Sequence, residues 1–462
     1  MHATTPLCKA KVEALADSYF RHLYHRVPVI DRKDLLGKEP SLLVCQSICL
    51  IGTLLRHPGI RSPLEDSDEY YCKIKALLFA NHEANYHHVL QALCLLVFRN
   101  TTPPRALSLD SSYQWLGMAI RLAYQMGLHR ESTYSKLENP GSARRIMWSL
   151  YAADTLQSAC FGRPSGIASS EFDIRLVQLA DFELSNIQAE LFIEYTKLSI
   201  ILGRMVDCHN RRSEHSPEDA TIILESLQEW ISNLPYSLNL YHGTERCPFR
   251  RDVYEVHINY FVCIIVFCRL FGQSLTQSTS SAASLLASSC ITRLYEEINL
   301  RDEINYLMPI NNWFLMVGCA PQIHHNATSS GTDQLCVAEL HILMDALNYM
   351  GLKWPPARTL LGIIERLSTI DSTRPAPFGG TPTTYQDNER VAETGPHRKS
   401  SDLLNALFPF PRSLSPRMEL IDSNMEDSSE QFAFERLADF GSDELNWIFN
   451  QYQSGFIDSL ME

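Results

Sequence analysis

The sequence predicts an all-α protein: many helices, then a disordered linker and an acidic C-terminal tail. Three observations carry this. Apolar residues recur at helical rather than strand spacing through residues 9–370. Proline, glycine and capping residues fall where helices of ordinary length should begin and end. No stretch sustains the period-2 alternation of a half-buried strand, and no internal repeat is visible.

Residues 9–25 form the first expected helix, followed by the extended Val27-Pro28-Val29-Ile30-Asp31. Leu42 to Leu55 is a continuous apolar helix, stopped by Pro58 and Gly59. Asp68 to Phe79 and Tyr86 to Phe98 are two more, dense in Leu and Ala, the second ending before Pro103-Pro104. Ser111 opens the next, with Gln114 three residues on in a capping-box pattern. In it Leu116, Ala119, Ile120 and Ala123 make one buried face, and Gly127 follows as the terminator. A polar loop with Pro140 and Gly141 leads to a helix from Arg144 to Phe161, closed by Gly162-Arg163-Pro164.

Ile187, Leu191, Tyr195, Leu198, Leu202 and Met205 then step by three or four, the stripe of a long amphipathic helix. Pro217 to Leu234 is closed by Pro235, and Val253 to Phe271 is apolar on almost every side, so it belongs at the centre of the core. Ser284 to Ile298, Trp313 to His324, Leu335 to Tyr349 and Ala357 to Leu367 complete the helices, with Trp354-Pro355-Pro356 between the last two. Residues 371–417, rich in Pro, Gly, Thr and Ser, read as a flexible linker.

Two runs, Trp115 to Glu131 ("WLGMAIRLAYQMGLHRE") and Arg144 to Ile167 ("RRIMWSLYAADTLQSACFGRPSGI"), resemble the signature of the fungal-specific transcription factor domain. This is the middle homology, or xylanolytic-activator-type, regulatory domain of zinc binuclear cluster transcription factors. The specific motifs lie within residues 111–177, and the layout fits about 19–370. The departures are Met147-Trp148, where members often carry two Trp, and Leu176-Val177, where they often carry Leu-Pro. The resemblance implies a helical regulatory domain over residues 1–370, and composition adds a linker over 371–417 and an acidic-aromatic candidate activation segment over 418–462. It also implies a nuclear regulator of RNA polymerase II transcription, with coactivators as partners and a small-molecule effector as a further expected ligand.

Members usually carry six cysteines at short fixed spacing that share two zinc ions. The first hundred residues here hold only Cys8, Cys45, Cys49, Cys72 and Cys94, with no Cys-x2-Cys pair and no basic flank. The expectation is therefore no cofactor in this chain, zinc being expected only if an N-terminal cluster was lost from the sequence. DNA would be reached indirectly, through such a missing domain or through a homo- or heterodimer with a full-length relative.

Composition fits that picture. The chain has 462 residues, 45% hydrophobic and 20% charged, which suits a soluble globular protein. Net charge is −13, of which residues 418–462 carry −10, so the near-neutral remainder lacks the basic footprint of a DNA binder. The 13 cysteines are scattered and sit mostly in apolar runs, as reduced, buried thiols do. The N-terminus lacks a signal-peptide pattern, and the longest uninterrupted apolar run, Tyr260 to Cys268, is too short to span a bilayer.

No catalytic motif emerges. His82-Glu83 begins like a zinc-protease motif, but Tyr86 stands where the second His is needed. The Ser of "GRPSG" lies in a loop after a helix, so it is no nucleophile elbow. The signature residues Arg121, Gly127, His129, Arg144, Arg145, Trp148, Asp154, Gly162, Arg163 and Pro164 read first as scaffold and second as effector or partner contacts. Asp154 sits mid-helix among apolar residues, so it is expected to be partly buried and to need a cation or several donors; Arg163 or Arg121 would serve, and a pair with Arg163 is expected. In the tail, Ser442 caps a short helix whose Leu445, Ile448, Phe449 and Tyr452 share one face, with Phe456 just beyond Gly455. Such an acidic, aromatic segment suits a coactivator groove, or a cap that folds back on the body.

Overall fold

The computed structural model describes residues 3–5, 7–36, 40–57, 62–99, 108–210, 217–328, 333–370 and 400–422. Helix α1 (Lys9–His22) leads through residues 23–31 into the short α2 (Arg32–Leu36). Ser41 opens α3 (Leu42–Leu54), its Oγ accepting from Val44 N at 3.3 Å. α3 is buried on nearly every side, as its unbroken apolar run requires. Gly52 is what lets α1 come so near, because a Cβ there would sit 2.4 Å from the Leu15 carbonyl oxygen. α4 (Pro63–Phe79) starts five residues before the expected Asp68, where Ser62 and Glu65 form a reciprocal capping box. α5 (Tyr86–Leu96) and α6 (Ser112–Gln125) then carry the chain into the signature stretch.

There α7 (Glu131–Tyr134), a single turn that helical periodicity is too short to reveal, precedes α8 (Pro140–Phe161). α8 begins four residues before the expected Arg144, because Asn139 Oδ1 accepts from Ser142 N at 3.2 Å and Pro140 occupies the first helical position. α9 (Ile187–Asn210) and α10 (Pro217–Ser232) follow, then a minimal antiparallel hairpin, β1 (Tyr241–His242) with β2 (Glu245–Arg246). α11 (Arg251–Phe271) runs through the middle of the core between α9 and α12 (Gln277–Leu300). By length and composition α11 could cross a membrane, but 89% of its most apolar window is buried inside the fold. α13 (Ile310–Thr328), α14 (Gln334–Met350) and α15 (Pro355–Ile370) pack on in succession. Trp354 locks the α14–α15 turn, its Nε1 donating to the Leu307 carbonyl at 3.1 Å.

The expected linker over residues 371–417 is corrected at its C-terminal end. Ser400–Leu407 forms α16, and the chain from there to Ile421 lies on the core as a strap. Leu403, Leu404, Leu407, Phe408, Leu414, Met418 and Ile421 are buried. Tyr260 donates its hydroxyl to the Leu407 carbonyl at 2.8 Å, Ser415 Oγ meets Ser289 Oγ at 2.7 Å, and Phe408 stacks on Phe261. The tail candidates Leu445, Ile448, Phe449, Tyr452 and Phe456 lie outside the described residues.

Candidate functional site

The signature stretch forms a set of polar struts around α8. Arg145 is buried to 1% exposure and spends its guanidinium on three partners. Nε donates to the Pro28 carbonyl at 2.7 Å, Nη2 to Asp31 Oδ1 at 2.6 Å, and Nη1 to the Asp181 carbonyl. It thus ties α8 to the segment after α1 and to the loop before α9. Arg144 pairs bidentately with Glu131 at 2.6 and 2.8 Å, and this bond holds the Glu131 carboxyl below its usual range. Trp148 donates to the Arg175 carbonyl at 3.0 Å and meets the Phe172 ring edge-on.

Asp154 is buried as expected, but its partner is not a cation. Its carboxylate accepts from Gly166 N at 3.1 Å, from Ile167 N at 2.9 Å and from the Ser165 hydroxyl. Three donors from the turn after α8 satisfy a buried carboxylate without an ion pair. Arg163 instead lies over the rings of Tyr113 and Phe161, at 4.6 and 4.9 Å. Arg121 is exposed on α6. Gly127 and Gly162 both take positive φ, at 72° and 61°, where the two helices end. His129 is half-buried beside Tyr124, and Pro164 is exposed in the exit from α8.

The other face of α8 borders a cavity of about 110 Å³. Ala153, Leu156, Gln157, Cys160 and Phe161 of α8 form one wall. The start of α13, with Asn312 and Trp313, and Pro356 and Leu360 of α15 form another; Arg26, Phe98, Ser112 and Tyr195 complete it. The lining is largely apolar, with the side chains of Arg26, Ser112, Gln157 and Asn312 among its polar members. A mostly apolar pocket with a few converging polar groups is the usual form of a small-molecule site.

None of the signature residues singled out from the sequence lines this pocket, and sequence reasoning missed Arg26, Gln157, Asn312 and Trp313. The one hint was Asn311-Asn312, a polar pair heading an otherwise apolar helix. Asn311 has a core role, accepting from the Tyr295 hydroxyl at 2.8 Å; Asn312 has none.

Other histidines have local partners. His87 meets Ser142 Oγ at 3.0 Å and His88 lies 3.5 Å from Glu83. His325, Asp333 and Cys336 place ligand-type atoms within 4.8 Å of one another. The Arg417 guanidinium of the strap contacts both Asp333 and Cys336 and supplies the positive charge there, while burial pushes the Cys336 thiol up to about 12. That geometry is an ion-paired latch for the strap.

Comparison with known proteins agrees with the fold. The family model described as "Fungal specific transcription factor domain" matches residues 16–294. The acetamidase regulatory protein of Aspergillus fumigatus is 24% identical over 64% of this chain and 40% of its own length. That of Aspergillus oryzae is 25% identical over 66% of this chain and 41% of its own. Cutinase transcription factor 1 alpha of Fusarium vanettenii is 22% identical over 86% of this chain and 48% of its own. The chain thus spans less than half the length of these curated relatives. Both the family and these relatives are transcription regulators rather than enzymes. Signature, helical order and family match agree: the chain belongs to the fungal-specific transcription factor domain family.

Proposed function

We propose that this chain is the regulatory part of a nuclear regulator of RNA polymerase II transcription. In this reading the helical body receives a small-molecule signal and the acidic segment 418–462 engages a coactivator. The observation that carries it is the family match over residues 16–294. The pocket beside α8 supports the effector role, because it joins the family-matched helices to α13 and α15, which lie beyond the match. Acidic residues interleaved with Leu445, Ile448, Phe449, Tyr452 and Phe456 support the coactivator role.

Contact with DNA comes through a zinc cluster that the 13 dispersed cysteines are not spaced to build. Either a further segment of the same protein supplies it, or a full-length relative does so by pairing with this chain.

Fusing residues 1–462 to an unrelated DNA-binding domain and measuring a reporter tests the reading. Activation above the DNA-binding domain alone is expected. It should fall when Leu445, Ile448 and Phe449 are changed together to Ala. A reporter indifferent to the fusion refutes the regulatory reading; activation indifferent to the three changes removes the tail from it.

A further inference from the structure

We propose that the cavity between α8 and α13 binds a small, uncharged, apolar molecule about the size of an aromatic ring. This deepens the effector reading above and rests on it only for the biological use of the ligand. Surface chemistry sets the class. The polar ends of Arg26, Gln157, Asn312 and Trp313 (Nη1 and Nη2, Oε1, Oδ1 and Nε1) have essentially no accessible surface, so they do not open into the space. Arg26 is engaged elsewhere: its Nε donates to Glu255 Oε2 at 3.2 Å, and its guanidinium packs on the rings of Tyr195 and Phe314 at 4.9 and 5.6 Å. What the walls present is mostly carbon, from Val97, Phe98, Leu156, Met308, Ile310 and Leu360. A carboxylate or an ammonium group would shed its hydration there without a charged partner facing it, whereas an apolar molecule gains by leaving water.

The walls are held apart, which distinguishes a preformed site from a packing fault. Side chains around a void relax into it as far as they are free to. Here the lining is stiff. Pro309 and Pro356 are rings fixed to the backbone. Trp354 Nε1 donates to the Leu307 carbonyl at 3.1 Å, which pins the segment before α13 to the start of α15. Tyr195 is clamped by Arg26, and Phe161 by the Arg163 guanidinium at 4.9 Å.

The approach to the cavity is apolar as well. Phe98, Ala153, Phe161, Pro309 and Ile310 line it yet are only half-buried. A ligand seated among them covers apolar surface that the described residues leave exposed. The size fits: about 110 Å³ is of the order of the cavity that accommodates a benzene ring in an engineered protein core.

The test uses the full chain with toluene, benzoate and benzylamine as probes, read by the melting temperature and by tryptophan fluorescence, since Trp313 lines the cavity. Toluene at about 2 mM should raise the melting temperature and change the fluorescence, and the two ions should bind at least roughly tenfold more weakly. Ala153→Phe, which fills the cavity from a half-buried position on α8, should abolish toluene binding. Should that variant fail to fold, Leu360→Ala enlarges the cavity instead and should shift preference from toluene toward naphthalene by roughly tenfold or more. No toluene bound, either ion bound as tightly as toluene, toluene binding indifferent to Ala153→Phe, or no gain for naphthalene in Leu360→Ala overturns the proposal. If toluene binding fails while the reporter fusion stays active, the ligand class is lost and the regulatory reading stands. If toluene binds and the reporter is silent, the regulatory reading is lost and the site stands.

Discussion

Replacing Arg145 by Met removes the strut that joins α8 to the segment after α1. The lost guanidinium leaves the Asp31 carboxylate, 1% exposed, with weaker partners: the Tyr24 hydroxyl at 3.3 Å and Lys33 Nζ at 3.7 Å. The carbonyls of Pro28 and Asp181 lose a donor as well. Breaking a buried pair from one side costs about 3–5 kcal/mol, and Arg145→Met should fall in that range. Asp31→Asn keeps an oxygen acceptor and should cost less, about 2 kcal/mol. With both changed, no uncompensated charge remains, so the double variant should recover about 2 kcal/mol or more relative to the sum. Arg163 and Asp154 serve as the contrast. They have separate partners, so Arg163→Met and Asp154→Asn should add to within about 0.5 kcal/mol. Urea unfolding should be followed by far-ultraviolet circular dichroism and tryptophan fluorescence together, since coincident curves license a single free energy. Strict additivity of Arg145 with Asp31, or a cost for Arg145→Met below about 1 kcal/mol, would refute the strut argument.

Two further outcomes follow from buried groups. Burial lowers His257 to about 4, and its ring meets the Leu238 carbonyl at 2.9 Å. The folded state then binds fewer protons than the unfolded one, so this stability is full above about pH 6.5 and is lost as pH falls toward 4. From pH 7 to 5 the loss from this residue is about 2 kcal/mol, and His257→Asn should flatten the urea-midpoint profile by that amount; an unchanged profile contradicts the assignment. In the strap, Phe408 is 1% exposed against Phe261, so Phe408→Ala should cost about 3–5 kcal/mol locally and expose residues 400–422 to protease before the helical body unfolds. Strap cleavage no faster than in the parent would show that the strap is not a separately opening unit.

What the sequence made legible, and what it hid, divides along physical lines. Helix identity is local, so Ser111, Gly127 and Gly162 announced their ends in advance, and α3 and α11 announced their burial by an unbroken apolar run. The strap was hidden because eight residues of helix sit beside a long Pro-, Gly-, Ser- and Thr-rich stretch, whose composition dominates any window laid across it. Its Leu403, Leu404 and Leu407 did carry the i, i+1, i+4 spacing of a helical face. Asp154 misled for a different reason. Charge in a buried position suggests a counter-charge, yet backbone N–H groups of a turn 12 and 13 residues on satisfy it equally well, and nothing in residue identity distinguishes the two.

The pocket could not be read at all, because its polar groups come from positions 26, 157 and 312 and share no spacing. That dispersal has a structural consequence. The family match ends at residue 294, inside α12, whereas α12 packs against both α13 and α14, and the strap's Ser415 reaches α12 at Ser289. Helices beyond the match are therefore needed to cover an apolar face inside it. Asn312 and Trp313 sit on the first of them, opposite Gln157 of the signature helix. A molecule between those walls would touch helices inside and beyond the matched region at once.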